Sequence, residues 1–265
     1  MMMTAVHDAP PAGDAAERAR PVLVWDLPTR VFHWSLAVCF AGAWLTSDSE
    51  RQHLLHLLFG YSLFGLVLFR LAWGLVGSRY ARFSEFLRGP GVTWRYVTSM
   101  MQGKPAHHVG HNPAGAVAIW LLLGLGLATA GVGVAMVTGG GEALEEVHEA
   151  LATAMLVVVG LHLLGVVAGS VLHRENLPRA MVTGRKAGLR PEDGIVRPSV
   201  VVGGVLLLAL ATFWALGLSQ QRLPFGLPGG GAEAGEGRDD GHAARGASDA
   251  DGDEDGDKDG DGDDD

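Results

Sequence analysis

The chain has 265 residues, of which 48% are hydrophobic, and its mean hydropathy is +0.21. Its formal net charge is -9, so we expect no nucleic-acid partner. The single cysteine, Cys39, excludes an intrachain disulfide framework and the CxxCH motif of covalent haem attachment.

The chain opens with a polar segment. Residues 1–20 contain prolines and charges, and they lack the apolar core of a cleaved signal peptide. We expect a disordered cytoplasmic arm here, and we expect the first apolar segment to stay in the mature protein.

Five later segments are apolar, almost free of charge and near the ~20 residues that a helix needs to cross hydrocarbon. They predict transmembrane helices at about 25–46, 53–76, 113–137, 148–172 and 199–218. Short turns join the first span to the second and the third to the fourth, which indicates two antiparallel hairpins and a four-helix core. The predicted fold class is an all-α integral membrane helical bundle over residues 21–219, with a peripheral fifth helix.

The basic residues predict the orientation, because Lys and Arg are retained on the cytoplasmic side of a membrane. They concentrate before the first span, after the second span and after the fourth span, whereas the turns at the opposite end are mostly acidic. We therefore expect a multi-pass membrane protein, which would lie in the inner membrane if the source is a Gram-negative bacterium. Its N-terminus would be cytoplasmic and its C-terminus would lie on the outer, periplasmic side.

The cytoplasmic loop between the hairpins has about 36 residues. Its aromatic and leucine side chains have the spacing of an amphipathic surface helix. They are Phe83, Phe86, Leu87, Trp94 and Tyr96. Two roles are open for this loop, namely anchoring at the membrane surface and docking of a soluble partner.

The fourth span holds two histidines in the stretch EEVHEALATAMLVVVGLHLLG. Fourteen residues advance a helix by about 21 Å and return to within about 40° of the starting direction, so His148 and His162 point the same way at two levels. His33, near the cytoplasmic end of the first span, should match the level of His162. His56, near the outer end of the second span, should match that of His148. We call His33 and His162 the inner pair, and His56 and His148 the outer pair.

An ionisable group inside a membrane span is costly unless it is paired, so these histidines indicate a functional site. Two facing imidazoles suit the axial positions of a low-spin haem iron, and helix bundles commonly hold such cofactors between their helices. The pairs therefore predict two haem-iron sites and electron transfer. Zinc or copper fits poorly, since the two predicted pairs are far apart. His53 is the alternative to His56 as the outer ligand.

Arg70 stands fourteen residues after His56, on the same helix face and at the level of the inner pair. Two interpretations are open: a salt bridge to a haem propionate, or snorkelling to the headgroups. Glycines recur in the second, third and fourth spans, where they allow close helix packing or make room for a flat macrocycle. Four histidines are expected in solvent or at the headgroups, namely His107, His108, His111 and His173.

The segments that carry these residues resemble the bacterial cytochrome b561 family and the b-type cytochrome subunits of nickel-iron hydrogenases. They are VWDLPTRVFHW, LHLLFGYSLFGLVLFRLAWGLVGS, GHNPAG, VHEALATAMLVVVGLHLLG and LHRENLPRAMVTGRK. The resemblance covers about residues 21–186. It implies two haem b groups and a membrane quinone or a redox protein as electron donor or acceptor.

Relatives of this kind carry electrons between the quinone pool and periplasmic carriers, anchor hydrogenases or oxidise superoxide. Whether this chain belongs to an oxidoreductase stays open. A cluster beside the inner pair is a candidate quinone contact or, equally, an interfacial belt. It consists of Trp25, Asp26, Arg30 and Trp34.

Residues 220–265 form a predicted disordered tail on the outer side. From Ala232 onward it has fifteen acidic residues against three basic ones, a net charge of 3 - 15 = -12, and too few apolar residues to fold unaided. DGDKDG, residues 255–260, matches the first half of a calcium loop, although no full EF-hand is expected. Weak Ca²⁺ binding, a solvated polyanion and electrostatic steering of a periplasmic cytochrome c are the open interpretations.

Two further function classes are open. The chain could serve chiefly as the membrane anchor of a soluble redox enzyme such as a hydrogenase. Alternatively, the histidines could line a proton or metal transport path, although the middle of each span lacks the acidic residues that such paths commonly use.

Overall fold

A computed structural model describes residues 21–86, 89–102, 108–140, 142–186, 190–196 and 198–229. Helices make up its architecture, and the all-α class is confirmed. The N-terminal arm, the acidic tail from residue 230, Leu87 and His107 lie outside the described residues, and so do the interpretations that concern them.

The helices are α1 (Leu27–Leu45), α2 (His53–Val76), α3 (Pro90–Met101), α4 (Pro113–Ala135), α5 (Glu145–Leu172), α6 (Leu177–Thr183) and α7 (Val200–Gln220). Two short strands, β1 (Val22–Leu23) and β2 (Arg185–Lys186), pair in antiparallel orientation.

Three helices begin with the same local signal, an Asp or Asn N-cap followed by a proline in the first turn. Asp26 Oδ1 accepts a hydrogen bond from the backbone N–H of Thr29 at 2.9 Å and starts α1. Asn112 starts α4 and Asn176 starts α6 in the same way. The cap at Asp26 places His33 about two turns inside α1.

The two predicted hairpins form the core. α1 packs against α2, α4 packs against α5, and α2 joins the hairpins by packing against α4. Gly126 of α4 allows close approach, since an added Cβ would lie 3.3 Å from Val67 of α2. The buried core residues are Phe32, Cys39, Leu63, Leu66, Val67, Leu123, Ala130 and Met155.

Four helices are long and apolar enough to cross a membrane among the residues that the structure describes, namely α2, α4, α5 and α7. The first predicted span forms α1, a helix of 19 residues, but it is not one of these four. Arg30 and His33 in its first two turns lower its mean hydropathy. Phe32 and Cys39 nevertheless bury its inward face in the core.

Helix α7 packs on the outside of the first hairpin, against α1 and α2. The indole Nε1 of Trp214 donates a hydrogen bond to the hydroxyl of Ser62 at 3.0 Å, and its ring lies 4.6 Å from that of Phe59. The fifth helix therefore supports the core from outside the two hairpins.

Residues 221–229 follow α7 and fold back onto α2, although the sequence places them in the tail. Leu223 is only 3% exposed and packs against Leu57 and Leu58, and the hydroxyl of Tyr61 donates to the carbonyl of Pro228 at 3.1 Å. This segment, which we call the outer strap, belongs to the bundle.

At the opposite end, where α1 begins and α2 ends, short elements close the bundle. We call them the inner cap: residues 21–26, 77–86, 108–112, 173–186 and 190–196. The Tyr80 hydroxyl donates to the carbonyl of Asp193 at 2.7 Å, and the Val24 N–H donates to that of Gly184 at 2.8 Å. Gly184 has φ 78°, and an added Cβ would meet the Trp25 carbonyl at 2.6 Å, so glycine is required there.

The predicted surface helix of the long loop is shorter than its aromatic pattern suggests. α3 carries Trp94, which is 70% exposed, and Tyr96, which is buried. Phe83 and Phe86 precede this helix, and Phe86 is buried in the inner cap. The aromatic side chains before α3 therefore serve internal packing.

Candidate functional site

The structure brings the four spanning histidines together in two pairs. The ring centres of His33 on α1 and His162 on α5 are 6.4 Å apart, with planes inclined at 58°. Those of His56 on α2 and His148 on α5 are 6.2 Å apart, with planes inclined at 68°. Helix α5 thus contributes one ring to each pair, and the two helices of the first hairpin contribute the others.

The separation within each pair matches the dimensions of two imidazoles on one metal ion. A metal–nitrogen bond is about 2 Å long, and the centre of an imidazole lies about 1 Å beyond its nitrogen, so two axial rings are roughly 6 Å apart. Within the described ranges, no three His, Cys, Asp or Glu side chains gather as a metal-binding group. The ring pairs have the donor number and spacing of bis-imidazole coordination.

Backbone carbonyls orient both rings of the outer pair. The Nδ1 of His56 lies 2.9 Å from the Ala43 carbonyl oxygen, and the Nδ1 of His148 lies 3.0 Å from that of Thr129. A carbonyl oxygen can only accept, so each Nδ1 carries the proton. Each Nε2 then has a free lone pair, which is the state that binds iron.

The inner pair has different surroundings. The Nδ1 of His33 is buried and has no hydrogen-bond partner among the described residues. The ring of Trp34 meets the His33 ring edge-on at 5.2 Å. No carbonyl hydrogen bond therefore fixes His33 in the way that His56 and His148 are fixed.

Glycines leave space beside the rings. Gly60 lies one turn after His56 on the same face of α2 and is half-buried, and an added Cβ there would meet nothing within 4 Å. Gly133, by contrast, packs closely against His148, because a Cβ added at this position would lie 3.1 Å from Cε1 of His148. The residues around the outer pair thus combine open space with close support of a ring, as a flat cofactor requires.

Arg70 is buried near the inner cap, which removes the snorkelling interpretation. It is 3% exposed, its guanidinium carbon lies 4.9 Å from the Phe83 ring centre, and its NH1 has no hydrogen-bond partner in the described residues. Asp26 contributes favourable charge, but its Oδ2 already accepts from Trp73 Nε1 at 3.0 Å. The guanidinium therefore keeps an unsatisfied donor that suits an anionic group.

His111 was expected in solvent, and the structure instead inserts its ring between two aromatic side chains. Its centre is 4.6 Å from that of Trp25 and 4.7 Å from that of Phe86, and its Nδ1 is buried without a partner in the described part of the chain. Burial, followed by the positive charges of Arg70 and Lys186, lowers the pKa of His111 to about 3.

The other candidate residues have different positions. His53 is exposed at the start of α2, so the structure pairs His56 with His148 instead. His173 and His108 both lie near Tyr96, whose hydroxyl is 3.4 Å from Nε2 of His173. Both therefore belong to the inner cap.

The candidate quinone cluster is largely engaged in packing. Trp25 and Asp26 are buried, and Asp26 caps α1. Arg30 donates from NH1 to the carbonyl of Val182 at 2.8 Å, which leaves Trp34, at 43% exposed, as the open side chain of the four. These residues therefore do not form an open headgroup site.

Comparison with known families gives one match. The family model described as prokaryotic cytochrome b561 matches residues 24–184. No curated protein and no solved structure matches the chain. The matched range contains both histidine pairs, Arg70 and His111, whereas α7, the outer strap and the acidic tail lie beyond it.

Proposed function

The chain belongs to the prokaryotic cytochrome b561 family, and we propose that it is a di-haem member that carries electrons between two levels of the bacterial inner membrane. Membership alone makes it a membrane b-type cytochrome that binds haem b. The two-haem assignment is carried by one observation, the two imidazole pairs with ring centres 6.4 and 6.2 Å apart.

His33 and His162 would hold the inner iron, and His56 and His148 the outer iron. Haem b, when bound between these imidazoles, would supply one-electron redox chemistry. The carbonyls of Ala43 and Thr129 support the outer rings by fixing their orientation and increasing the basicity of Nε2.

Arg70 would serve the inner site by charge. Its buried guanidinium has an unpartnered NH1, and a propionate carboxylate is a counter-ion of the right kind. The interaction would be strong because the side chain is only 3% exposed and poorly screened.

The proposed partners are a membrane quinone and a redox protein. We propose that the N-terminus is cytoplasmic, so that the outer pair would face the periplasm. The outer strap packs on α2 at that end of the bundle. The acidic tail continues from that strap, and its net charge of -12 would attract a basic carrier such as a cytochrome c. An anchor role for a soluble redox enzyme would use the same two centres with a different partner.

The test is a dithionite-reduced minus air-oxidised spectrum with haem content per chain. It would compare the wild type with His148→Ala, His162→Ala and, as a matched control, His53→Ala. We expect b-type bands and two haems in the wild type and the control, and one or fewer in each of the other variants. Haem-free protein from haem-supplied cells, or an unchanged haem content in both α5 variants, would refute the assignment.

A further inference from the structure

A second polar site lies at the inner cap, next to the inner pair. His111 comes from the segment before α4, and Arg70 comes from the last two turns of α2. Each has a buried nitrogen with no hydrogen-bond partner among the described residues, Nδ1 in His111 and NH1 in Arg70. Packed aromatic rings join the two residues: the Arg70 guanidinium lies 4.9 Å from the Phe83 ring centre, that ring is 5.8 Å from the Phe86 ring, and Phe86 is 4.7 Å from the His111 ring.

Unsatisfied buried polar atoms need an explanation, because a buried donor has lost its hydrogen bond to water and gains none in return. The two nitrogens here are held rigidly. His111 is fixed between Trp25 and Phe86, and Arg70 is fixed against Phe83. Rigidly held polar groups are typical of ligand-binding sites, whereas a side chain that only fills space needs no fixed donor.

The charges nearby favour an anionic ligand. Lys186 is neutralised by Glu175, with Nζ 3.2 Å from Oε1. The Asp26 carboxylate accepts from the Thr29 N–H and from Trp73 Nε1, so it is shared with two other donors. Among the described residues, no carboxylate forms a salt bridge with Arg70, so its guanidinium keeps its positive charge. A two-oxygen anion would satisfy both its NH1 and the His111 nitrogen.

We propose that His111 binds a propionate of the inner haem, donating a hydrogen bond from Nδ1 to the carboxylate that Arg70 neutralises. This inference rests on the proposed function, since it requires a haem at His33 and His162. It assigns the GHNP segment, residues 110–113, to cofactor binding through a side chain that is not an iron ligand.

The competing explanation is that His111 merely fills the space between two aromatic rings. Phenylalanine and leucine at this position would keep an apolar side chain and remove the donor, whereas glutamine would keep a donor. His173→Phe is the control for a general disturbance of the inner cap, because His173 lies in the same cap and its Nε2 is 3.4 Å from the Tyr96 hydroxyl.

The experiment is a spectroscopic redox titration of the purified full-length protein, with the resonance Raman propionate band recorded alongside. It would be repeated in the His148→Ala background, where the inner haem is expected to remain alone. We expect His111→Phe or His111→Leu, whichever folds, to lower the midpoint potential of the inner haem. The drop should correspond to at least a threefold decrease in the equilibrium constant for its reduction. The propionate band should shift in the same variants. His111→Gln should keep both the inner midpoint potential and the propionate band close to their wild-type values.

The possible results separate the two proposals. An unchanged inner potential and propionate band in haem-replete His111→Phe or His111→Leu would overturn the role of His111 and leave the di-haem assignment intact. An equal shift in His173→Phe would also overturn it, because the effect would then be general to the cap. Haem-free wild-type protein would instead remove the proposed function itself.

Discussion

The Nδ1 of His148 lies 3.0 Å from the carbonyl oxygen of Thr129, so a ring on α5 is oriented by the backbone of α4. His56 of α2 is oriented likewise by the Ala43 carbonyl of α1. In each hairpin, one helix presents the ring and its neighbour supplies the acceptor. The geometry of the outer pair therefore depends on how closely the two helices of each hairpin pack.

Gly133→Ala tests that dependence. The added Cβ would lie 3.1 Å from Cε1 and 3.4 Å from Nδ1 of His148, so the ring must move. We expect a changed low-spin EPR signal and a shifted potential for the outer haem. Gly124→Ala on the same helix meets nothing within 4 Å and should leave both unchanged. Alanine is a better helix former than glycine by about 1 kcal/mol. A change in the outer haem that appears in Gly133→Ala and not in Gly124→Ala would therefore not result from a loss of helix propensity.

His56→Met tests the identity of the outer ligand. A thioether in place of an imidazole raises the potential of a haem, here by of order 100 mV, because it stabilises the reduced iron. His53→Met provides the control three residues earlier on the same helix. Redox titration should show the shift for His56→Met alone, and a shift for His53→Met alone would reassign the ligand.

Arg70→Gln tests the buried charge at the inner pair. Removing a cation near the haem favours the oxidised form, so the inner potential should fall by of order 50 mV, or roughly 1 kcal/mol for one electron. Arg79→Gln is the control, because that side chain is 52% exposed and its charge is screened. Equal potentials in the wild type and Arg70→Gln would show that the guanidinium does not face the haem.

Lys186→Met tests the ion pair of the inner cap. Lys186 is 5% exposed, and the substitution removes the ammonium group that lies 3.2 Å from Oε1 of Glu175. Breaking a buried pair commonly costs about 3 kcal/mol or more, and the partial exposure of Glu175 places this variant near the low end. Thermal unfolding in detergent should show a lower Tm, whereas Arg185→Met at the exposed neighbouring position should not change it. A Tm equal to that of the wild type would mean that the pair does not stabilise the cap.

Deletion of residues 232–265 tests electrostatic steering. The variant keeps the outer strap, which packs on α2, and loses a net charge of -12. Its electron-transfer rate with a basic cytochrome c should be lower at low ionic strength and should depend less on salt than that of the wild type. Identical salt dependence in stopped-flow measurements would assign the tail another role.

Much of the arrangement could be predicted from helix geometry. The fourteen-residue interval between His148 and His162 sets two levels, and antiparallel hairpins then select His33 and His56 as the facing rings. The acceptors at Ala43 and Thr129 could not be predicted, because every residue has a backbone carbonyl and no side chain signals its use.

The sequence could not place His111 or the outer strap for a different reason. A short polar segment before a helix resembles a solvated loop, and the burial of His111 comes from Trp25 and Phe86, which are distant from it in the chain. Leu223 is one apolar residue in a segment that leads into the acidic tail. Its contacts with Leu57 and Leu58 arise only when α7 returns beside α2.

The pairing of Val22 with Lys186 has a consequence for biosynthesis. These residues are more than 160 positions apart, so β1 must wait for β2 while four core helices are made and inserted. His56 and His148 both leave the ribosome before His162, so the outer pair is complete first. In the proposed orientation, the inner site stays open toward the cytoplasm until Lys186 has been synthesised. Haem loading should therefore be sequential, with the outer site filled before the inner cap closes over the second.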